Sequence, residues 1–296
     1  MINDFIAICK MSQENLKEYV ATELRKTHTD VKSKDGFVFA KGDFPVLLVA
    51  HLDTVHKELP NNFMYDTQAL TISSPNGIGG DDRCGVYMIL EVIKQYNCSV
   101  LFCEDEEIGT VGAEKFISSK LSKGLEFNYI IEFDRMGRND AVFYDCDNPE
   151  FEEFITKEFF KTAHGSFTDI SEIAPALGCA AVNLSCGYYK AHTTDEYVVY
   201  PEMLASIDEA CKILERTTEE DKFAYIESAD RFSLRYDDAF YGYEQYFLIQ
   251  YVDERGHEDW FETEAISLEE AVGMFCIRYP HLSFSNIVDL HQDNFM

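Results

Sequence analysis

The chain's 296 residues predict an α/β fold: a three-layer sandwich around a mixed, mostly parallel sheet, with a small α+β unit at the C-terminal end. Strand-like apolar runs alternate with helical stretches of roughly ten or more residues, the pattern of a sheet covered on both faces. Hydrophobic residues make up 46% and charged residues 27%, ordinary globular usage that excludes a disordered chain or a fibrous repeat. The length suffices for one large domain or two modest ones, with room for an enclosed site.

Along the chain, Ile2, Phe5, Ile6 and Ile8, then Leu16, Tyr19, Val20 and Leu24, recur near every 3.6 residues and predict one or two helices over residues 2–26. Short β-branched runs follow at 37–40 (FVFA) and 46–50 (VLLVA). A helix is predicted over 82–96 (DRCGVYMILEVIKQY), a strand over 99–103 (SVLFC) and a helix over 111–121. Strands over 128–133 (NYIIEF) and 141–145 (AVFYD) precede a helix over 149–163. A strand over 179–185 (CAAVNLS) and a helix over 201–217, with Pro201 in its first turn, close the series. At Thr218 the composition shifts, and TTEEDK reads as a linker between a large unit, residues 1–218, and a small acidic one, residues 219–296. In the latter, YFLIQYV (246–252) and WFETEA (260–265) predict a hairpin, and SFSNIVDL a last strand. Ser267 and Glu270 form a capping box for a helix ending near Tyr279. This segment holds 18 acids against 5 bases, net −13, a solvated or partner-facing surface.

Charge narrows the functional classes. With 54 acids and 25 bases the net charge is −29, which repels phosphate backbones and anionic lipid, so neither nucleic acid nor membrane is an expected partner. The start of the sequence has no basic flank followed by an apolar stretch, and no window reaches the ~18 apolar residues of a spanning helix; a cytoplasmic location is expected. Nine scattered cysteines without a Cys-x-x-Cys pair read as small buried hydrophobes in a reducing compartment.

Five segments carry chemistry. In AHLDTV, His51 and Asp53 follow a strand and, being two apart, share one side, so the carboxylate is placed to orient the imidazole as metal-bound histidines require; alone, the pair also fits a hydrogen-bonded loop. In GIGGDDRCG, Asp82 reads as a helix cap, leaving Asp81 as a bridging ligand. In LFCEDEEIGTVGA, Glu104, Asp105, Glu106 and Glu107 end an apolar strand, costly unless cations or protons compensate; the apolar, glycine-rich continuation argues for carboxylates around a metal rather than a surface loop. Adjacent glutamates allow one to bind metal while the other handles protons. Asp134 ends NYIIEF, and His192 lies in YYKAHTTDEYVVY after CAAVNLS. All stand just after predicted strands, at the carboxyl edge of an open α/β sheet where ligands bind. Such mixed N/O donors suit zinc, or manganese or cobalt, rather than a cysteine-based structural site.

The order His51-x-Asp53, Asp81, Glu106-Glu107, Asp134, His192 resembles the co-catalytic two-zinc exopeptidase clan of peptidase T, the zinc aminopeptidases and the acylase and carboxypeptidase relatives. HLDTV, GGDDRCG and DEEIG are similar to peptidase T's versions of these motifs, HTTDE resembles the last metal motif, and the likeness covers residues 35–215. The resemblance implies a hydrolase holding two divalent ions, zinc first and manganese or cobalt next. Asp81 would bridge them, His51 and Asp134 completing one site and Glu107 and His192 the other. Glu106 would move the proton and Asp53 would orient His51. It implies a short peptide as substrate and aminopeptidase activity, with an oligomer compatible.

His192 follows Asp134 by only 58 positions, too few for the lid domain that peptidase T and the acylase relatives insert there, so the length resembles the lid-less aminopeptidase branch. In that branch a Gly-x-x-Asp-like loop and a tyrosine help the site; GSFTD (165–169) and Tyr188 or Tyr189 correspond, while His164 is expected at the rim. Arg135, Arg138 and Lys190 near the motifs keep open a second hydrolase reading, recognition of N-acyl amino acids or carboxyl-terminal residues. A third reading makes the metal domain a scaffold and the acidic C-terminal unit a partner-binding module.

Overall fold

The computed structural model describes residues 2–165, 167–228, 245–252, 258–265 and 284–289. The chain divides into two compact units, Met1–Glu227 and Ser228–Met296.

The first unit opens with helices α1 (Ile2–Cys9) and α2 (Gln13–Leu24), the second capped by Ser12, whose side chain accepts the Asn15 amide. A hairpin of β1 (Val31–Lys34) and β2 (Phe37–Ala40) leads into β3 (Phe44–His51). Short strands β4 (Met64–Asp66) and β5 (Thr71–Ser73) precede α3 (Gly80–Val92), β6 (Cys98–Cys103), α4 (Val111–Ser118) and β7 (Tyr129–Arg135). Then come β8 (Asp140–Val142), α5 (Pro149–Thr156), β9 (Lys161–Ala163), α6 (Asp169–Leu177) and β10 (Ala181–Ser185). Strands β11 (Tyr188–Tyr189) and β12 (Tyr197–Val199) and helix α7 (Tyr200–Arg216) complete the regular elements.

Eight strands form one sheet in the order β1-β2-β6-β3-β7-β10-β8-β9, with β6, β3, β7 and β10 parallel and the antiparallel pairings toward the edges. Alternation along the central strands divides their side chains between two cores. Val46, Leu48 and Ala50 of β3 face the layer that includes α1, α2, α3 and α7, while Leu47 and Val49 face α4 and α6. Both faces being apolar, these strands read as continuous hydrophobic runs, and the expected three-layer α/β sandwich with a mixed, mostly parallel sheet is what the chain forms. A second sheet, β11-β12-β5-β4, is antiparallel.

Three details differ from expectation. The helix predicted over 149–163 stops at Thr156, because residues 161–163 pair with β8 as an edge strand, a tertiary contact overriding the local pattern. Helix α6, with Pro175 inside it, occupies a stretch the sequence reading leaves without an element. Residues 219–227, assigned by composition to the second unit, pack on the first: Phe223 and Tyr225 lie against its core, and the Ala180 amide donates to the Phe223 carbonyl.

Strands β13 (Gln245–Val252), β14 (Glu258–Ala265) and β15 (Phe284–Asp289) of the second unit make an antiparallel sheet in the order β14-β13-β15, with Ile249 and Tyr251 buried. The helix predicted from Ser267 to Tyr279 lies outside the described residues. Among the described residues, no helix is long and apolar enough to cross a membrane.

Candidate metal centre

Because β6, β3 and β7 run parallel and adjacent, their C-terminal ends reach one edge of the sheet, and three motifs arrive there together. His51 ends β3, Glu104–Glu107 follow β6, and Asp134 sits near the end of β7. Asp81 comes from the glycine turn of residues 77–82, which leads into the regular backbone of α3, Asp81 and Asp82 themselves being non-helical. Gly79 has φ +67, and a Cβ at Gly80 would stand 2.8 Å from Tyr188 Cβ and 2.9 Å from Val198 Cγ2, so only glycine lets the turn approach this closely. His192 comes from the loop between β11 and β12 and holds φ +63, a conformation costly for a non-glycine residue.

All five expected ligands meet here. His51 Nε2 is 3.0 Å from Asp81 Oδ1 and 3.4 Å from Asp134 Oδ1. His192 Nε2 is 3.2 Å from Asp81 Oδ2 and 3.1 Å from Glu107 Oε2. Asp81 therefore offers one oxygen to each imidazole and joins two triads, His51–Asp81–Asp134 and Asp81–Glu107–His192. An imidazole nitrogen has one proton to give, yet each Nε2 faces two carboxylate oxygens, and Glu107 Oε1 is buried with no hydrogen-bond partner among the described residues. A cation in each triad would satisfy both imidazole nitrogens and the carboxylate oxygens that face them. The spacings also fit: bonds of ~2.05 Å in a tetrahedral zinc site separate donor atoms by about 3.3 Å.

Around the triads the chain fixes each side chain by hydrogen bonds. Asp53 Oδ1 accepts from His51 Nδ1 at 3.1 Å and from the Glu106 amide at 3.0 Å, while Oδ2 accepts the Glu107 amide at 3.1 Å. One carboxylate thereby orients an imidazole and anchors both glutamates. Thr168 Oγ1 donates to Asp134 Oδ2 at 2.9 Å, and Asn183 Oδ1 accepts the Asp134 amide at 2.8 Å. Tyr188 donates to the Asp134 carbonyl at 3.2 Å; Tyr189 turns instead to Glu202.

Not every acid of the run after β6 turns inward. Glu104 pairs with Lys17 and accepts the Gly36 amide at 3.0 Å, and Asp105, at φ +62, accepts from Gln13 at 2.9 Å. Only Glu106 and Glu107 face the centre, so the expected cluster of four acids is a cluster of two. Asp82 behaves as a cap: regular helical backbone begins after it, and its Oδ1 accepts the Gly85 amide at 2.9 Å while Oδ2 accepts the His51 amide at 3.1 Å. His164 is exposed and joins neither triad. Asn183 and Glu132 were not singled out in the sequence, whereas Thr168 lies within GSFTD and Glu196 ends HTTDE, the segment that resembles the last metal motif, though neither was given a role there. The signal for Asn183 and Glu132 was present all the same, as lone polar residues inside otherwise apolar strands.

Protonation reflects crowded negative charge. Burial opposes a charge on His51, but the carboxylates of Asp134, Asp53 and Asp81 overcome it and hold the imidazole well above its ordinary pKa. Bonds to Asp81 and Glu107 carry His192 to about 10. Burial pushes Glu106 up to about 8, with Asp134, Asp169 and Glu107 adding to the effect against His51. Burial and the Asp81 charge lift Asp134 to about 6, whereas Asp81, despite burial, is held far below the usual carboxylate range by its two imidazoles.

Residues 37–177 match the model of peptidase family M28, a span containing His51, Asp53, Asp81, Glu106, Glu107 and Asp134 and ending before His192. Solved structures of the same fold include the aminopeptidase PepT from Bacillus cereus, at 13% identity over 72% of this chain and 97% of that one, with a TM-score of 0.59. A tripeptidase from Staphylococcus aureus matches at 14% identity over 72% and 96%, with a TM-score of 0.59. An aminopeptidase from the archaeon Desulfurococcus kamchatkensis matches at 15% over 77% and 99%, with a TM-score of 0.54. At such identities the structural likeness is one of fold. No curated protein matched the sequence. The matched family model and the shared fold agree with the resemblance to the two-zinc exopeptidase clan read from the motifs.

A divalent ion takes only neutral imidazole, and at pH 7 the metal-free protein keeps both His51 and His192 protonated. Ion binding is expected to release at least two protons per chain at pH 7, with affinity rising as the pH climbs from 7 toward about 10. Calorimetry in two buffers of unlike ionisation enthalpy measures the release; none would remove the histidines as ligands.

Proposed function

We propose that the chain is a metal-dependent exopeptidase, an aminopeptidase that hydrolyses short peptides with two divalent ions, zinc in first place and manganese or cobalt as substitutes. The observation that carries this reading is the placement of Asp81, one oxygen toward each imidazole, with the raised carboxyl of Glu106 within electrostatic reach of His51, Asp134 and Glu107. His51, Asp81 and Asp134 would hold one ion, and Asp81, Glu107 and His192 the other. When bound, such a pair supplies acidification of water and polarisation of the scissile carbonyl.

The chain's own residues perform the remaining work. Hydrolysis adds water across the amide bond: the acyl carbon takes the oxygen, and Glu106 takes the water's proton and returns it to the departing nitrogen. A carboxyl near 8 is closely matched to this two-way transfer at neutral pH, and the Asp53 carboxylate keeps its backbone in place. Asp53 also fixes the ring of His51 through Nδ1, leaving Nε2 for the ion.

Recognition of a free amine rather than a free carboxylate is supported by the nearby cations. Arg135 bonds Asp140 through Nε and a terminal nitrogen at 3.3 and 3.2 Å, Arg138 lies 6.0 Å from the Phe159 ring centroid, and Lys190 Nζ is 3.8 Å from Asp195. Each already has a local partner, while the centre itself is lined by acids. A cytoplasmic setting agrees with the eight free cysteines among the described residues, seven of them buried.

Glu106→Gln is expected to lower kcat by about 10²–10⁴-fold, while elemental analysis still finds two ions per chain. Retained hydrolysis would remove Glu106 from the proton transfer. A panel of peptides should show cleavage when the α-amine is free and none when it is acetylated. Preference for the acetylated set would move the function to the N-acyl hydrolase reading.

A further inference from the structure

Glu196 lies four residues beyond His192, is fully buried, and contributes to neither triad. Its Oε2 accepts the Gly79 amide at 2.7 Å and faces His56 Nε2 at 2.8 Å, and its Oε1 accepts the amide of Asp81 itself at 3.0 Å. Three donors converge on one acceptor-only group, which is what makes a buried carboxylate tenable. Packing reinforces the arrangement. A Cβ at Gly77 would fall 2.1 Å from the His56 ring, and one at Gly80 would fall 3.3 Å from Glu196 Oε1, so the glycine turn is held between the imidazole and the carboxylate.

Three chain segments are thereby tied at one point: the loop after β3, the turn before α3 and the loop after β11. Asp81 and His192 stand in two of these segments, and His51 ends the strand that opens the third. Asp81 has only two side-chain torsions, so once its amide is pinned the reach of its carboxylate is nearly fixed. A ligand shared by two ions has little tolerance, because a shift that suits one triad spoils the other.

We propose that Glu196, braced by His56, is the positioning residue for the bridging carboxylate of Asp81, and that through this single side chain both ion sites are set together. The proposal rests on the two-ion reading above. Glutamine at 196 keeps the size but turns an NH2 toward incoming N–H groups, leaving a buried amide without an acceptor.

The test uses metal-free, full-length protein titrated with Co2+, read by calorimetry and by the visible absorption and spin coupling of the bound ions. Wild type should bind two ions per chain with a spin-coupled signal. Glu196→Gln, with its far-ultraviolet circular dichroism intact, should bind Co2+ about 10–100-fold more weakly and lose the coupled signal. His56→Ala should move in the same direction by less, and His56→Gln, which restores a donor toward Oε2, should recover most of the loss. Recovery through a hydrogen-bond donor is not expected of a residue that merely fills space.

If wild type binds two coupled ions and folded Glu196→Gln does the same at unchanged affinity, the positioning role is wrong while the two-ion reading stands. If wild type itself fails to bind two ions, the underlying reading falls, and the proposal with it. Should Glu196→Gln not fold, the His56 pair decides: unchanged affinity in His56→Ala overturns the brace, and a loss reversed in His56→Gln supports it.

Discussion

Asp81 has two carboxylate oxygens, and a different imidazole faces each of them. Everything else at the centre follows from satisfying that arrangement. Two histidines 141 positions apart, one ending β3 and one in the loop after β11, must reach the same side chain, and Asp134 and Glu107 must close the triads without leaving buried charge uncompensated. Carboxylates packed this closely in a low-dielectric setting repel strongly, so the site is tenable only with positive charge inside it. Protonated histidines serve in the metal-free chain, and divalent cations suit the donor set better because a cation has no limit of one acceptor per proton.

The fold meets this demand by making two further carboxylates structural. Asp53 binds His51 and the amides of Glu106 and Glu107; Glu196 binds His56 and the amides of Gly79 and Asp81. Between them they connect the segments after β3, β6 and β11 and the turn before α3. The remaining ligand, Asp134, stands in β7, where Thr168 and Asn183 fix it from α6 and β10. Loops hold a precise constellation here because backbone amides are paired to buried acceptors, which costs less conformational entropy than aligning long side chains with one another.

The central strands and helices were legible because apolar periodicity records burial directly, as in VLLVA and SVLFC. The ligands were legible because strand ends in an open α/β sheet gather at one edge, so residues such as His51 and Asp134 could be grouped without knowing any distance. What was missed depends on tertiary partners. DEEIG marked Glu107 for the site of His192, but no local pattern tells that Glu104 will turn to Lys17 and Asp105 to Gln13, because that depends on which neighbour awaits them. Glu196 closes the HTTDE motif, but nothing local tells that it will sit under the glycine turn and accept its amides. Residues 219–227 read as part of a solvated segment because their attachment is largely through backbone pairing and two aromatic rings.

Behind the triads, Glu132 and Asp169 are fully buried, and neither carboxyl has a hydrogen bond of normal length among the described residues. Burial drives both upward in pKa, Asp169 to about 7, and neighbouring acids add to the rise. In company with Glu106 and the two histidines, they hold protons in the folded chain that they would give up on unfolding at neutral pH. The sign is common to all of them: a raised group favours the fold at low pH, and that advantage is lost as pH climbs through the folded value, about 6 for Asp134, about 8 for Glu106 and about 10 for His192. Asp81 and Asp53 lean the other way, being held below their ordinary values. A centre poised like this stores protons where it would otherwise store cations. Exchanging one for the other turns the same crowding from a cost into the source of affinity.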